Sequence, residues 1–507
     1  MSFPDFVYLD DLICGAAITR TTSGSDANKL KITGIAYDSR QVKPGFLFAA
    51  IPGFKVDGHD FVPRALEAGA AAVLTERWLD LAGVIQVQVE SVRKIMPLLA
   101  SNFYDHPSKN LTVIGVTGTN GKSTTAFLID AILKSAGLRT GLIGGIEYRI
   151  GDSSIPAKRT TPEALDIQRM MFEMNDQHIG AVTMEVSSHG IDLYRVACTE
   201  FDVAVFTNLT RDHLDLHGNL EDYFESKRKL FTGALLDPAK NENAISPNRP
   251  IAAINVDNEY GQRLADELSD RLYTFGMKPQ AQVRARDIEY NGWETRFELV
   301  TPSGATPVQL QLPGAFNLEN ALSASAAALA LGIPLESIAA GLSESRGAPG
   351  RFEPVNINAP FRVVVDYAHN EDGLLKALTT ARALTDGRLI TVFGCPGERD
   401  REKRPGMGKI AGSLSDLAIL TTDDCYEEPS EQILDQTEAG LNDSGAEYLR
   451  IEDRRQAIET AIEAAREGDT VLIAGKGHER SQIMAEGPRP FNDSDTVKEI
   501  VKNFFCK

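Results

Sequence analysis

One stretch constrains this chain more than any other: Gly115-Val116-Thr117-Gly118-Thr119-Asn120-Gly121-Lys122-Ser123-Thr124. It lies between an apolar run, Leu111 to Val116, and an amphipathic run, Ser123 to Gly137, in the order strand, glycine-rich turn, helix. Backbone N–H groups in such a turn, at the positive end of a helix dipole, present donors to phosphate. The lysine adds a point charge, and the next hydroxyl can reach Mg²⁺. The stretch therefore reads as a nucleoside triphosphate site built from Gly118, Thr119, Asn120, Gly121, Lys122, Ser123 and Thr124. Its spacing departs from G-x-x-x-x-G-K-[ST], since Val116 stands six before Lys122 with Gly115 and Gly118 flanking it. The strand and helix on either side separate it from a tight turn with a solvated lysine.

The 507 residues suggest about three domains. Residues 1–108 form a first block, with short strands at Ile32 to Tyr37 and Phe46 to Ala50 and a helix at Val62 to Ala70. Its Asp38-Ser39-Arg40 and Asp57-Gly58-His59-Asp60 runs read, on their own, as turn chemistry. Residues 109–345 repeat apolar strands and helices after the phosphate loop, which predicts a doubly wound, mostly parallel sheet. Ligands of such sheets collect at the carboxyl ends of the strands. Three features stand there: Glu185-Val186-Ser187-Ser188-His189, the run Thr207 to Asp215 containing His213, and the helix start Tyr223 to Lys227. A carboxylate and a histidine near a triphosphate suit direct or water-mediated Mg²⁺ ligation. Asn317 and Asn320 on one helical turn either read a purine edge or cap the helix, and capping is the cheaper explanation. Residues 238 to 250 read as a surface insertion.

Ser345 to Gly350 reads as a linker, and residues 346–507 alternate strand and helix again. This second α/β sheet should gather the loops Asp366 to Asn370, Gly394 to Arg404, Asp423 to Pro429 and Gly475 to Glu479 on one edge facing a cleft.

The net charge of −19 and the lack of a basic run exclude a general nucleic-acid binder. No apolar stretch approaches the ~20 residues that span a bilayer, and the first residues carry acids rather than a cationic leader. A cytoplasmic, monomeric protein with no membrane partner is expected. The five cysteines form no C-x-x-C pair, which predicts free thiols and no structural zinc.

The phosphate loop, Glu185-Val186-Ser187-Ser188-His189, Thr207-Asn208-Leu209-Thr210-Arg211-Asp212-His213-Leu214-Asp215, Gly314-Ala315-Phe316-Asn317, Asp366-Tyr367-Ala368-His369 and Gly475-Lys476-Gly477-His478-Glu479 fall together in an order that resembles the Mur ligases. The resemblance covers essentially the whole chain. It implies a UDP-binding domain, a central ATPase domain and a C-terminal Rossmann-like domain for the incoming amino acid, and small-molecule substrates throughout. It further implies ATP-dependent amide formation through an acyl phosphate, adding a third residue to UDP-N-acetylmuramoyl-L-alanyl-D-glutamate. On this resemblance Lys122 holds phosphates, Ser123 and Glu185 hold one Mg²⁺, and His213 helps hold a second. Lys227 becomes a carbamylated metal ligand. Ser39, Arg40, His59, Asp60, Thr160, Thr161, Ser187 and Arg195 then bind the UDP-sugar-peptide, and Asn317, Asn320, Arg351 and Asp366 the nucleotide. Arg399, Asp423, Asp424, Gly475 and Glu479 bind the amino acid.

The chain departs from the pattern in one loop. Members that add meso-diaminopimelate resemble one another in an Asp-Asn-Pro-Arg run, whereas this chain reads Asp423-Asp424-Cys425-Tyr426-Glu427-Glu428-Pro429. With the arginine gone and Asp424, Glu427, Glu428 and Glu479 nearby, an acidic pocket is expected, which favours the amine of L-lysine, with L-ornithine and meso-diaminopimelate as alternatives. Folylpolyglutamate synthase, which shares two of the three domains, is disfavoured by the first hundred residues. A non-catalytic nucleotide-binding relative is disfavoured by the joint presence of Lys122, Glu185, His213 and Lys227.

Overall fold

The computed structural model describes residues 5–22, 29–53, 56–212, 214–236 and 248–505. Three principal α/β layers follow one another along the chain. The first is a five-stranded sheet in the order Ile18–Thr21, Ile85–Val89, Ala72–Thr75, Phe46–Ala49, Gly34–Ala36, parallel except at its first pair. The helix Val92–Phe103 packs on it through Val92, Met96, Leu99 and Phe103.

The central sheet has eight strands, in the order Ser153–Pro156, Glu147–Ile150, Thr140–Ile143, Ala181–Glu185, Thr112–Thr117, Val203–Phe206, Ile251–Asn255, Leu272–Phe275. From Thr140–Ile143 onwards every pairing is parallel. Continuous apolar strands such as Val113 to Val116 are what a sheet buried on both faces requires. One face is covered by Ala164–Asp176 and Leu220–Thr232, through Met170, Met174, Phe224 and Phe231. The other is covered by Lys122–Ser135 and Ala315–Ala330, through Leu128, Ile132, Leu318 and Leu322. Small residues set how closely this second pair of helices and their neighbour Leu335–Glu344 approach. A Cβ on Gly341 would lie 2.5 Å from Ile132 Cα. A three-stranded antiparallel sheet, Arg284–Asn291, Glu294–Thr301 and Gly304–Leu310, follows the central sheet; its separation from it was not read from the sequence.

The last sheet has six strands, Glu353–Pro354, Arg362–Asp366, Thr470–Ala474, Leu389–Phe393, Leu417–Leu420, Tyr448–Arg450, all parallel but the first. The four loops singled out above each follow the carboxyl end of one of these parallel strands, so they share one edge. Beneath them Arg454 and Asp493, both fully buried, form a two-bonded ion pair of 2.8 Å that ties the helix Arg454–Ala464 to Asp493–Phe505. Among the described residues no helix is long and apolar enough to cross a membrane. Cys14, Cys198, Cys395 and Cys425 are thiols outside any disulfide, and Cys506 lies outside the described residues. Most of the 238 to 250 stretch lies outside them too.

Candidate active site

The loop between Thr112–Thr117 and Lys122–Ser135 depends on two glycines with positive φ. At Gly118 (φ 146) a Cβ would sit 1.9 Å from Thr207 Oγ1, and at Gly121 (φ 86) 2.4 Å from Asn320 Oδ1. Lys122 folds back along the loop, its Nζ donating to the carbonyls of Gly118 (2.9 Å) and Thr119 (2.8 Å), and burial lowers its pKa. Ser123 Oγ donates to Glu185 Oε2 at 3.0 Å, and Glu185 Oε1 accepts from Gly145 N at 2.9 Å. Parallel pairing of Ala181–Glu185 with Thr112–Thr117 puts Glu185 opposite Val116, just before the loop.

A hydroxyl and a carboxylate oxygen side by side at the mouth of a phosphate loop form a donor set that suits Mg²⁺, which keeps waters and phosphate oxygens as its remaining ligands. Lys227, 1% exposed, reaches the same place from the helix Leu220–Thr232, whose start is capped by Asn219. Its Nζ donates to Gly118 O at 3.2 Å and lies 4.3 Å over the Tyr223 ring. Burial first, and then the charge of Lys122, push its pKa well below the ordinary lysine value. His213 lies outside the described residues.

From Glu185 a hydrogen-bonded chain runs outward. Thr161 Oγ1 bonds Glu185 O and Ser187 Oγ, each at 3.0 Å, and Arg195 Nη1 donates to Thr161 O at 3.1 Å. Thr160 flanks Gly145, where a Cβ would be 3.2 Å from its Oγ1. Beyond it Arg195 and Arg159 both pair with Glu163, and Arg93 of the first sheet's helix approaches the same carboxylate at 4.0 Å. Three guanidinium groups around one carboxylate leave a net positive patch, suited to an anionic ligand. Sequence reading found only Arg195 of this group, although Arg159 adjoins Thr160 in the chain. Tyr37 Oη donates to Asp166 Oδ2 at 2.6 Å and closes the junction with the first sheet.

In that first sheet Ser39 is buried at the start of a short turn, while Arg40 is exposed and its guanidinium is chelated by Asp38. His59 departs from the expectation of a ligand-facing ring. Its Nδ1 bonds Asp57 Oδ1 at 2.6 Å and its Nε2 accepts from Glu76 N at 3.0 Å, so both ring nitrogens hold the fold. Asp60 is exposed beside it.

Across a seam, the last sheet faces the phosphate loop. Arg351 Nη2 donates to Ser123 Oγ at 3.2 Å and its guanidinium lies 4.2 Å over the Tyr367 ring. Asp366 accepts from Phe352 N and Ala368 N at 2.6 and 2.7 Å, and burial raises its pKa against the pull of Arg351. Asn370, which caps Glu371–Ala383, donates to Asp212 Oδ2 at 3.0 Å, and Asn120 donates to Asp372 Oδ2 at 2.8 Å. Asn317 and Asn320 are buried and bonded within the protein, but neither side chain caps the helix, whose N-cap is Gly314: Asn317 Nδ2 donates to Pro313 O at 2.9 Å.

The amino-acid loops correct the expected acidic pocket. Lys476, fully buried, bonds Asp424 Oδ1 at 2.7 Å and Glu479 Oε2 at 2.5 Å, with Asp423 at 4.0 Å. Burial opposes its charge, but these carboxylates overcome it and hold its pKa above the ordinary range. Glu428 is bonded through both oxygens by the buried Arg404, which brings its pKa down to about 2. Glu427 is exposed. The acids read from sequence as a free cation site are therefore largely neutralised from within, by a lysine and an arginine whose partners only the fold reveals. Glu479 keeps a pKa of about 7, raised by burial. Asp423 Oδ2 is buried without a hydrogen-bond partner among the described residues, tight against Gly475, where a Cβ would be 2.3 Å away. Arg399 lies 5.6 Å over the ring of Tyr426, in the loop that lacks the arginine of the Asp-Asn-Pro-Arg pattern.

Comparison with known proteins places the three blocks in one family. Residues 31–104 match the Mur ligase family catalytic domain, 116–328 the Mur ligase middle domain, and 350–477 the Mur ligase glutamate ligase domain. The UDP-N-acetylmuramoyl-L-alanyl-D-glutamate–2,6-diaminopimelate ligase of Alkaliphilus metalliredigens is 44% identical over 478 residues, 94% of either chain. The chain belongs to the Mur ligase family. The enzyme of the same name from Geobacter metallireducens is 41% identical over 98% of this Mur ligase and 99% of its own length. A solved structure of a ligase of that name superposes with a TM-score of 0.67 at 30% identity, covering 98% and 99% of the two chains. The MurF ligase of Thermotoga maritima in complex with ADP shares the fold, with a TM-score of 0.62 at 19% identity over 92% of this chain and 97% of its own. Mur ligases are ATP-dependent ligases of peptidoglycan precursor synthesis that work with Mg²⁺, and this one carries the phosphate loop and the Ser123–Glu185 pair in the arrangement such chemistry needs.

Proposed function

We propose that this Mur ligase joins a 2,6-diamino acid, meso-diaminopimelate in first place, to the D-glutamate of UDP-N-acetylmuramoyl-L-alanyl-D-glutamate. The observation that carries the choice of amino acid is the Lys476 amine bonded to both Asp424 and Glu479. An amine-binding pocket needs free carboxylates, and these are already paired. Arg399, over Tyr426, offers a cation to a carboxylate where the arginine of the diaminopimelate pattern is missing. The relatives above, whose names specify 2,6-diaminopimelate, support the same reading. L-Lysine remains the second reading, because Asp423 Oδ2 is still an open acceptor.

In this proposal the chain divides into domains at 1–108, 109–345 and 346–507. Lys122 and the loop N–H groups hold the β- and γ-phosphates of ATP. Arg195, with Arg159 and Arg93, holds anionic groups of the muramoyl dipeptide beside Thr160, Thr161 and Ser187, and Ser39 and Arg40 face the UDP. The glutamyl carboxylate attacks the γ-phosphorus and ADP leaves. The amine of the diamino acid attacks the resulting acyl phosphate carbonyl, and phosphate leaves with its electron pair. Such catalysis is mainly positioning and charge neutralisation. Ser123, Glu185 and a carbamylated Lys227 would hold Mg²⁺, with His213 contributing to a second ion, and the metal would supply that neutralisation at the phosphates. Phosphate release that needs ATP, the UDP-dipeptide and a diamino acid together tests the reaction; release without the dipeptide would contradict it.

A further inference from the structure

The seam between the phosphate loop and the last sheet holds a carboxylate that the chemistry above does not use. It faces a cavity of about 80 Å³ lined by Asn120, Phe316, Glu319, Asn320, Tyr367 and Lys376, among others. Phe316, Glu319 and Asn320 fall on one face of the helix Ala315–Ala330 by their spacing.

The two asparagines of that turn have little left to offer a ligand. Asn317 Nδ2 is bonded to Pro313 O at 2.9 Å, and Asn320 Nδ2 to Asn317 Oδ1 at 3.4 Å. Asn320 Oδ1 accepts from Thr125 Oγ1 at 3.4 Å, and they are 2% and 7% exposed. On the opposite wall Lys376 is bonded to Asp372 Oδ2 at 3.1 Å, which also takes the Asn120 amide at 2.8 Å. Glu319, between the asparagines, differs. It is half-buried and has no hydrogen bond or ion pair among the described residues. Burial raises its pKa above the ordinary glutamate range, against the pull of the Lys376 charge across the cavity.

We propose that Glu319 selects the nucleobase, its carboxylate accepting a hydrogen bond from the exocyclic 6-amino group of adenine. Guanine and hypoxanthine carry a carbonyl oxygen at that position, which would set lone pairs against the carboxylate and leave a half-buried acceptor unpaired. That loss corresponds to about tenfold or more in affinity. The inference rests on reading the seam as the ATP site.

The test compares ATP, ITP and purine riboside triphosphate, which lacks only the 6-amino group, in phosphate release by the wild type, Glu319→Ala and Glu319→Gln, together with binding of the corresponding diphosphates. Alanine is the better helix former, and thermal unfolding of each variant checks that the fold is kept. The wild type is expected to show a KM about tenfold or more higher for the purine analogue than for ATP. Glu319→Ala raises the KM for ATP to that of the analogue and leaves the analogue's KM where it was, while Glu319→Gln, which keeps an acceptor oxygen, retains most of the preference. Equal losses for ATP and the analogue in Glu319→Ala, or a wild type that does not distinguish them, overturns the role of Glu319 and leaves the ATP site standing. A wild type that binds no adenine nucleotide overturns the site reading itself.

Discussion

Lys122 and Lys227 donate to one and the same carbonyl oxygen, that of Gly118, at 2.9 and 3.2 Å. Two buried ammonium groups on a single acceptor repel each other, and the strain falls on Lys227, whose pKa burial and Lys122 together depress. A lysine that sheds its proton is an amine nucleophile able to take up CO₂, and the resulting carbamate presents the oxygens that Mg²⁺ prefers. Labelled bicarbonate should therefore give a carbamate carbon signal in the native protein that is lost in Lys227→Met. Activity of that variant should fall about a hundredfold or more, a loss typical of removing one preorganised electrostatic group.

In protein freed of bicarbonate, where Lys227 is an unmodified amine, the same residue makes a pH prediction. A lysine whose folded pKa lies below the unfolded value of 10.5 binds fewer protons folded than unfolded in the interval between the two. Stability through this group therefore rises with pH in that interval. Lys227→Met should flatten the rise, measured by denaturant unfolding over the alkaline range; an unchanged slope would show that Lys227 titrates normally.

Lys122→Ala removes an amine that sits on its own loop rather than in solvent. The loop keeps its glycine geometry, so phosphate release should be abolished while the unfolding midpoint shifts little. Wild-type turnover in this variant would remove the phosphate loop from the chemistry.

Ser123→Ala and Glu185→Gln each take one oxygen from the pair 3.0 Å apart at the loop mouth. Both should raise the Mg²⁺ concentration needed for half-maximal activity, and more so for Glu185→Gln, which removes charge. An unchanged Mg²⁺ requirement in both would place the ion elsewhere.

Beneath the amino-acid loops, Asp493→Ala would leave the buried Arg454 without its carboxylate partner. The expected cost is about 3–5 kcal/mol in chemical denaturation, and the loops above the pair, Asp423 to Pro429 and Gly475 to Glu479, should loosen with it.

What the sequence made legible follows from range of interaction. The phosphate loop and the parallel strands around it depend on neighbours a few residues away, so periodicity and turn chemistry reveal them. The strand Tyr448–Arg450 and the hairpin Ser481–Pro490 were too short or too polar to stand out. The pairing of Lys476 with Asp424 spans 52 residues, and that of Arg404 with Glu428 spans 24. Composition shows such charges but not their partners, which is why the acidic loop read as an empty amine pocket. The bonding of His59 within the fold is hidden for the same reason, since its second partner, Glu76 N, lies 17 residues on.

The central claim is settled most directly by phosphate release with ATP, Mg²⁺ and UDP-N-acetylmuramoyl-L-alanyl-D-glutamate, comparing meso-diaminopimelate, L-lysine and L-ornithine at equal concentration. The neutralisation of Asp424 and Glu479 by Lys476 predicts turnover mainly with meso-diaminopimelate. Turnover mainly with L-lysine would contradict it and return the acidic loop to the role its sequence suggests.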